Sequence, residues 1–191
     1  MNQNSEEYKK MIEKINNSIK NPRDSFETLK GYEIILEALV YKIYDLFGRN
    51  SLLSMTYQIG AGPGEEIAER ILKEKNVYKI ENPFEAFVIL LNENRDYYNV
   101  EVLNISEEFV EVYGKKYKKI IVYIKNKCFF RESLKKRKRL KIGGPLCRIN
   151  KAYYEVAFKK LTGLKTEISF IQNDEKNDVC LENVSFFIPI E

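Results

Sequence analysis

The chain has no histidine and no tryptophan among its 191 residues. Without an imidazole there is no Ser-His-Asp triad, no His-based general acid or base and no His-ligated haem. Most hydrolase mechanisms therefore lose their central residue, and we expect a protein that is not an enzyme. Cysteine is scarce as well. Cys128, Cys147 and Cys180 are widely spaced and form no CxxC pair, and an odd number fits a reducing compartment better than a disulfide framework. No apolar run approaches the roughly 20 residues that span a bilayer, and the polar opening MNQNSEEYKK lacks the character of a signal peptide. A cytoplasmic protein is the expectation.

Charge, by contrast, is plentiful. Charged residues make up 31% of the chain, for a net charge of +4. They are unevenly spread: between Lys115 and Lys141 thirteen basic residues face Glu132 alone, a local charge of +12 that leaves the remainder at −8. Such a segment could meet nucleic acid, an anionic membrane surface or an acidic partner. The competing reading is a set of solvated faces balanced by the acidic remainder, since no helix-turn-helix, zinc-finger or RNA-binding signature accompanies the charges.

Residues 5–19 place Tyr8, Met11, Ile12, Ile15 and Ile19 on a narrow helical stripe, so 1–22 reads as a docking or dimerisation helix that Pro22 ends. A second helix starts at Asp24, with Glu27 completing a capping-box pattern, and runs to Gly48. A further short helix, Asn50 to Ile59, is expected to end in a tight corner at Gly60-Ala61-Gly62-Pro63-Gly64 before helix resumes at Glu65. No Gly-Lys-Ser/Thr follows those glycines and no strand precedes them, so they are no phosphate loop. Phe84 to Leu91 suits a helix better than a buried strand. Tyr98–Ser106, Phe109–Tyr113 and Lys119–Ile124 read as strands joined by turns at Glu107-Glu108 and Gly114. An amphipathic helix from Leu146 to Leu161, stopped by Gly163, precedes strands at Lys165–Gln172 and Val179–Ile188.

Gly144-Pro145-Leu146-Cys147, the helix ending near Leu161-Thr162-Gly163, the strand with Glu167 and then Cys180 resemble the hydrocarbon-binding domain named after 4-vinyl reductase. Ile59 to Ala68 is similar to that family's helical half, so the resemblance spans roughly residues 30–188. It implies an α+β fold over 23–191, with a helical layer packed on an antiparallel sheet of four to five strands. This is the ligand-binding architecture of nitric-oxide signalling and Golgi-transport (TRAPP) proteins, often homodimeric. It also implies an apolar cavity for a hydrocarbon-like or lipid-like molecule, for which Phe47, Phe87, Tyr153, Val156 and Phe170 are the candidate lining. Metal-binding members hold zinc through four positions, of which the first, second and last are matched here by Cys147, Glu167 and Cys180; the third falls on Phe170, which cannot bind a metal, so no cofactor is fixed. The expected function is binding or sensing of a small hydrophobic molecule without catalysis. The alternative is a regulatory scaffold acting through the basic segment or a dimer face.

Overall fold

The structure, a computed structural model, describes residues 28–136 and 142–190. The docking helix expected over 1–22, the capping box at Asp24 and the basic stretch 137–141, four of whose five residues are Lys or Arg, lie outside the described residues. The chain divides into two units, Met1–Ala38 and Leu39–Glu191. What is described of the first is the opening of a helix that shows Tyr32, Ile34 and Ile35 to solvent. The second unit holds the remainder.

Helix α1 covers Thr28–Lys75 and is interrupted at Gly48, where φ is 76° and ψ 178°. Glycine adopts that backbone without a side-chain penalty, so the expected stop at Gly48 is a real break. The corner expected at Gly60 to Gly64 is not there: α1 runs straight through it, Pro63 included. The reason lies in the buried stripe. Leu52, Thr56, Gly60, Gly64, Ala68 and Leu72 are buried at four-residue intervals, the row along which one helix packs on another. Its middle members are small because a second helix comes to backbone contact there. A Cβ on Gly60 would stand 2.0 Å from the Ile149 carbonyl oxygen, and one on Gly64 2.3 Å from that of Tyr153.

Helix α2, Pro83–Glu93, starts where its sequence predicts: the Asn82 side chain accepts from Phe84 N at 2.9 Å, and proline occupies the first turn, where its missing N–H is no loss. Strand β1, Tyr98–Val112, is a single strand with a register shift between Val102 and Asn104, rather than two strands parted by a turn. Glu107 and Glu108 are ladder residues whose carboxylates reach Lys118 and Lys119 on β2, Lys115–Cys128, at 2.8 Å each. The turn between the strands is Tyr113-Gly114, both at positive φ, as a tight hairpin with the sheet's twist requires.

After the short α3, Phe130–Lys136, helix α4 covers Cys147–Thr162 and ends on Gly163 at φ 71°. Strands β3, Lys165–Asp174, and β4, Val179–Pro189, complete an open antiparallel sheet of order β1-β2-β4-β3. The α+β layering read from the sequence is therefore present, with four strands. Ile120, Val122 and Ile124 of β2, Val184 and Phe186 of β4 and Ile168 of β3 turn to the helices, where Phe87 of α2 and Phe158 of α4 stack at 5.7 Å. Among the described residues no helix is long and apolar enough to cross a membrane.

Candidate functional site

Strand alternation decides which polar groups join this core. Side chains two residues apart share a face, so the row Val184, Phe186, Ile188 extends backwards to Glu182 and Cys180. The row Ile120, Val122, Ile124 extends forwards to Asn126 and Cys128. Glu182 Oε2 accepts from Asn126 Nδ2 at 2.7 Å and from the Tyr98 hydroxyl at 3.1 Å. Burial pushes its carboxyl above the usual carboxylate range, against the pull of those two donors.

Helix α4 brings Cys147 to the same end of the sheet. Its Sγ accepts from Gly143 N at 3.2 Å. Gly143 sits at φ 79°, and a Cβ there would lie 2.9 Å from a Phe170 ring carbon, so both conformation and space call for glycine. Burial pushes the Cys147 thiol up to about 12 and Cys180 to about 11. The other two thiols, Cys128 and Cys180, and Glu182 are near enough to raise the Cys147 value further. They are not near enough to share an ion: among the described residues, no three Cys, Asp or Glu side chains are placed to hold a metal.

The zinc set drawn from the resemblance does not fit. Glu167 alternates with Thr166 and Ile168, so it occupies the other face of β3 and pairs there with Lys165 at 2.8 Å. Phe170 is half exposed over Gly143. The group that does approach Cys180 is Arg131, 1% exposed, whose Nη1 donates to the sulfur at 3.1 Å. Its Nε meets Asp178 Oδ1 at 2.8 Å, and Nη2 reaches the Asp174 carbonyl at 3.4 Å. Asp178 also pairs with Lys127 at 2.8 Å and with Lys135. Hydrogen bonds from these three cations hold its carboxyl far below the ordinary range.

The candidate lining residues do not gather in one place. Phe87 is core and stacks on Phe158; Phe47 is 58% exposed on α1; Val156 is half buried. Tyr153 donates to Asn94 Oδ1 at 3.0 Å, as does Tyr97, while Asn94 Nδ2 is buried without a partner. Burial raises the Tyr153 hydroxyl well above its ordinary value.

An open groove of about 370 Å³ lies elsewhere along α1, lined by Asn50, Leu53, Ser54, Tyr57, Gln58 and, from α4, Arg148. Leu53 and the Tyr57 ring supply an apolar wall. Asn50, Ser54 and Gln58 supply donors and acceptors, and Arg148 is exposed with no carboxylate among the described residues paired to it. Burial and the neighbouring Glu155 raise the Tyr57 hydroxyl, so it stays protonated. The groove sits between two of the helices expected to bound a cavity, but none of the five expected residues lines it. An aromatic stripe marks core more often than site, whereas the signal here was a polar row, residues 50, 54 and 58 at helical spacing, beside Leu53 and Tyr57.

Fold and site thus define an α+β domain with helices on one face of an open antiparallel sheet. No family model and no curated protein sequence matches this chain. Among solved structures it is similar to the phenol-responsive sensory domain of the transcription activator PoxR, in its crystal structure with phenol: 13% identity, TM-score 0.46, over 81% of this chain and 74% of that one. A likeness at that level carries no argument about what this chain binds.

Proposed function

We propose that the protein is a small-molecule-binding module without catalytic activity, and that its ligand occupies the groove between α1 and α4. One observation carries this: a concave site in which an apolar wall of Leu53 and Tyr57 stands beside the guanidinium of Arg148, which no carboxylate among the described residues pairs. The volume is at the small end for ligand sites, suited to a single ring or a short chain. The apolar body would rest on Leu53 and Tyr57, and an anionic or strongly polar head would meet Arg148 with Asn50, Ser54 or Gln58. The hydrophobic ligand expected from the sequence is thereby narrowed to an amphiphilic one.

Calorimetric titration with aromatic and short aliphatic carboxylates, and with their neutral analogues, tests this. A saturable ligand should be lost in Leu53→Trp, which fills the groove. It should weaken severalfold in Arg148→Glu, since an exposed charge contact is worth up to about 1 kcal/mol and the change replaces attraction by repulsion. Binding that ignores both changes would remove the groove from the account.

A second reading, a scaffold that works by self-association, has its own support. Leu39, Tyr44, Leu46 and Phe47, all within the second unit, are each at least half exposed, and exposed apolar side chains close together in sequence suit a protein contact. Sedimentation of Phe47→Glu should show a smaller species than the wild type if this face makes a homodimer. The basic segment supports a partner less well. Lys118, Lys119 and Lys125 pair with Glu107, Glu108 and Glu101 on β1, and Lys127, Arg131 and Lys135 with Asp178.

A further inference from the structure

In metal-binding members of the family that the sequence resembles, zinc would sit where α4 opens beside the β3–β4 turn, and the residues at that place in this chain are arranged for something else. A cation is present at that end of the sheet, and it is covalently part of the chain. Arg131, 1% exposed, lies with Nη1 3.1 Å from Cys180 Sγ. A zinc ion on the same sulfur would sit about 2.3 Å from it, so a doubly charged ion and a guanidinium would crowd one atom in a place sheltered from water. The two cations would repel each other there, and the Arg131–Cys180 contact occupies the sulfur that a zinc ion would need.

Those contacts do what a structural metal does, which is to tie together segments far apart in sequence. Through Nε to Asp178 Oδ1 (2.8 Å), Nη1 to Cys180 Sγ and Nη2 to the Asp174 carbonyl (3.4 Å), Arg131 joins α3 to the β3–β4 turn and to β4. The planar fork of guanidinium donors suits such multiple capture, which an ammonium could not reproduce. The turn is prepared to receive it. Asp174 accepts from Asn177 N at 3.0 Å and from Asn177 Nδ2 at 2.7 Å, and Asp178 adopts φ 57°.

We propose that Arg131 takes the structural place of a metal ion at this end of the domain, clasping α3, the β3–β4 turn and Cys180, so that the protein folds and keeps its thiols inert without zinc.

The test has two arms. In the first, full-length wild-type protein is dialysed and its metal content measured, then melted with EDTA and with added zinc chloride. The clasp predicts zinc far below one equivalent and a midpoint that neither addition moves. One equivalent of zinc surviving dialysis, with a midpoint that falls on chelation, would overturn it. In the second arm, Arg131→Met and Arg131→Lys are melted and their cysteines labelled with a thiol reagent, with modified peptides identified by mass. Arg131→Met should lower the midpoint on the order of 5 °C or more and raise labelling at Cys180 at least severalfold. Arg131→Lys, which keeps the charge without the fork, should fall between it and wild type. If Arg131→Met does not fold, Asp178→Asn removes the other half of the strongest contact and should likewise speed labelling at Cys180. Unchanged melting and unchanged Cys180 labelling in these variants would sink the proposal.

Discussion

Substituting Gly60 by alanine should damage the protein, although the change favours a helix by about 1 kcal/mol when nothing else intervenes. The new Cβ would lie 2.0 Å from the carbonyl oxygen of Ile149, and since ordinary contact begins near 3.4 Å the two backbones would have to part by about 1.4 Å. Backbone atoms cannot rotate out of the way as a side chain can, so the overpacking cost belongs at the upper end of its range, about 3 kcal/mol. The net loss is then about 2 kcal/mol, or roughly 4–8 °C in the melting midpoint of a domain this size. Gly64→Ala, with its Cβ 2.3 Å from the Tyr153 carbonyl oxygen, should behave similarly. Gly62→Ala is the control on the same turn. It meets nothing within 4 Å, and its propensity gain is offset by contact with the Pro63 ring, so its change should stay within about 1 kcal/mol. Urea unfolding followed by circular dichroism measures all three under one slope. Equal stabilities for Gly60→Ala and Gly62→Ala would refute the α1–α4 backbone crossing.

The remaining predictions concern charge. Glu182 has a folded-state pKa above its unfolded one, so it holds its proton more tightly when folded. Its cost is absent below the ordinary carboxylate value and grows as pH rises through the folded value. Relative to Glu182→Gln, wild type should therefore lose stability across that window, and parallel pH profiles for the two proteins would contradict it. Asp178 works the other way. Its depressed pKa gives stability that is complete above the ordinary value and disappears as pH falls through the folded one. Asp178→Asn should thus be less stable at neutral pH, and the gap should close only in strong acid. Titrating short nucleic acids against wild type and against a protein with Lys118 and Lys119 reversed to Glu should give no salt-dependent difference, because Glu107 and Glu108 already pair with both lysines; a steep salt slope in wild type alone would restore the basic segment as a binding face.

Much of the fold could be read from residues. The Asn82-Pro83 start of α2, the Gly163 stop of α4, the hairpin glycine at 114 and the alternation of β4 each follow from local backbone chemistry, and each is where that chemistry puts it. Two readings failed because tertiary packing overrode local preference. Gly60, Gly62 and Gly64 look like a corner by propensity alone, yet the four-residue spacing of Gly60, Gly64 and Ala68 belongs to a helix crossing. Glu107-Glu108 looks like a polar turn, yet cross-strand lysines let two carboxylates stand in a ladder. The site was less legible. Extending the β4 alternation by two steps would have placed Cys180 and Glu182 together on the core face, and the β3 alternation through Ile168 would have put Glu167 on the other, which is where the zinc set came apart. Arg131 could not have been found, since nothing local distinguishes it from its twelve basic neighbours between 115 and 141. Its burial depends on a turn more than forty residues away.

The central claim, a small amphiphilic ligand in the groove, is met most directly by native mass spectrometry of the full chain released from its own cell extract under non-denaturing conditions, with Leu53→Trp alongside. The account predicts a bound small molecule on wild type, carrying an acidic or strongly polar group, and its absence from the variant. A wild-type mass equal to that of the bare chain, with no adduct regained from the titrated carboxylates, or an adduct equally present on both proteins, would contradict it.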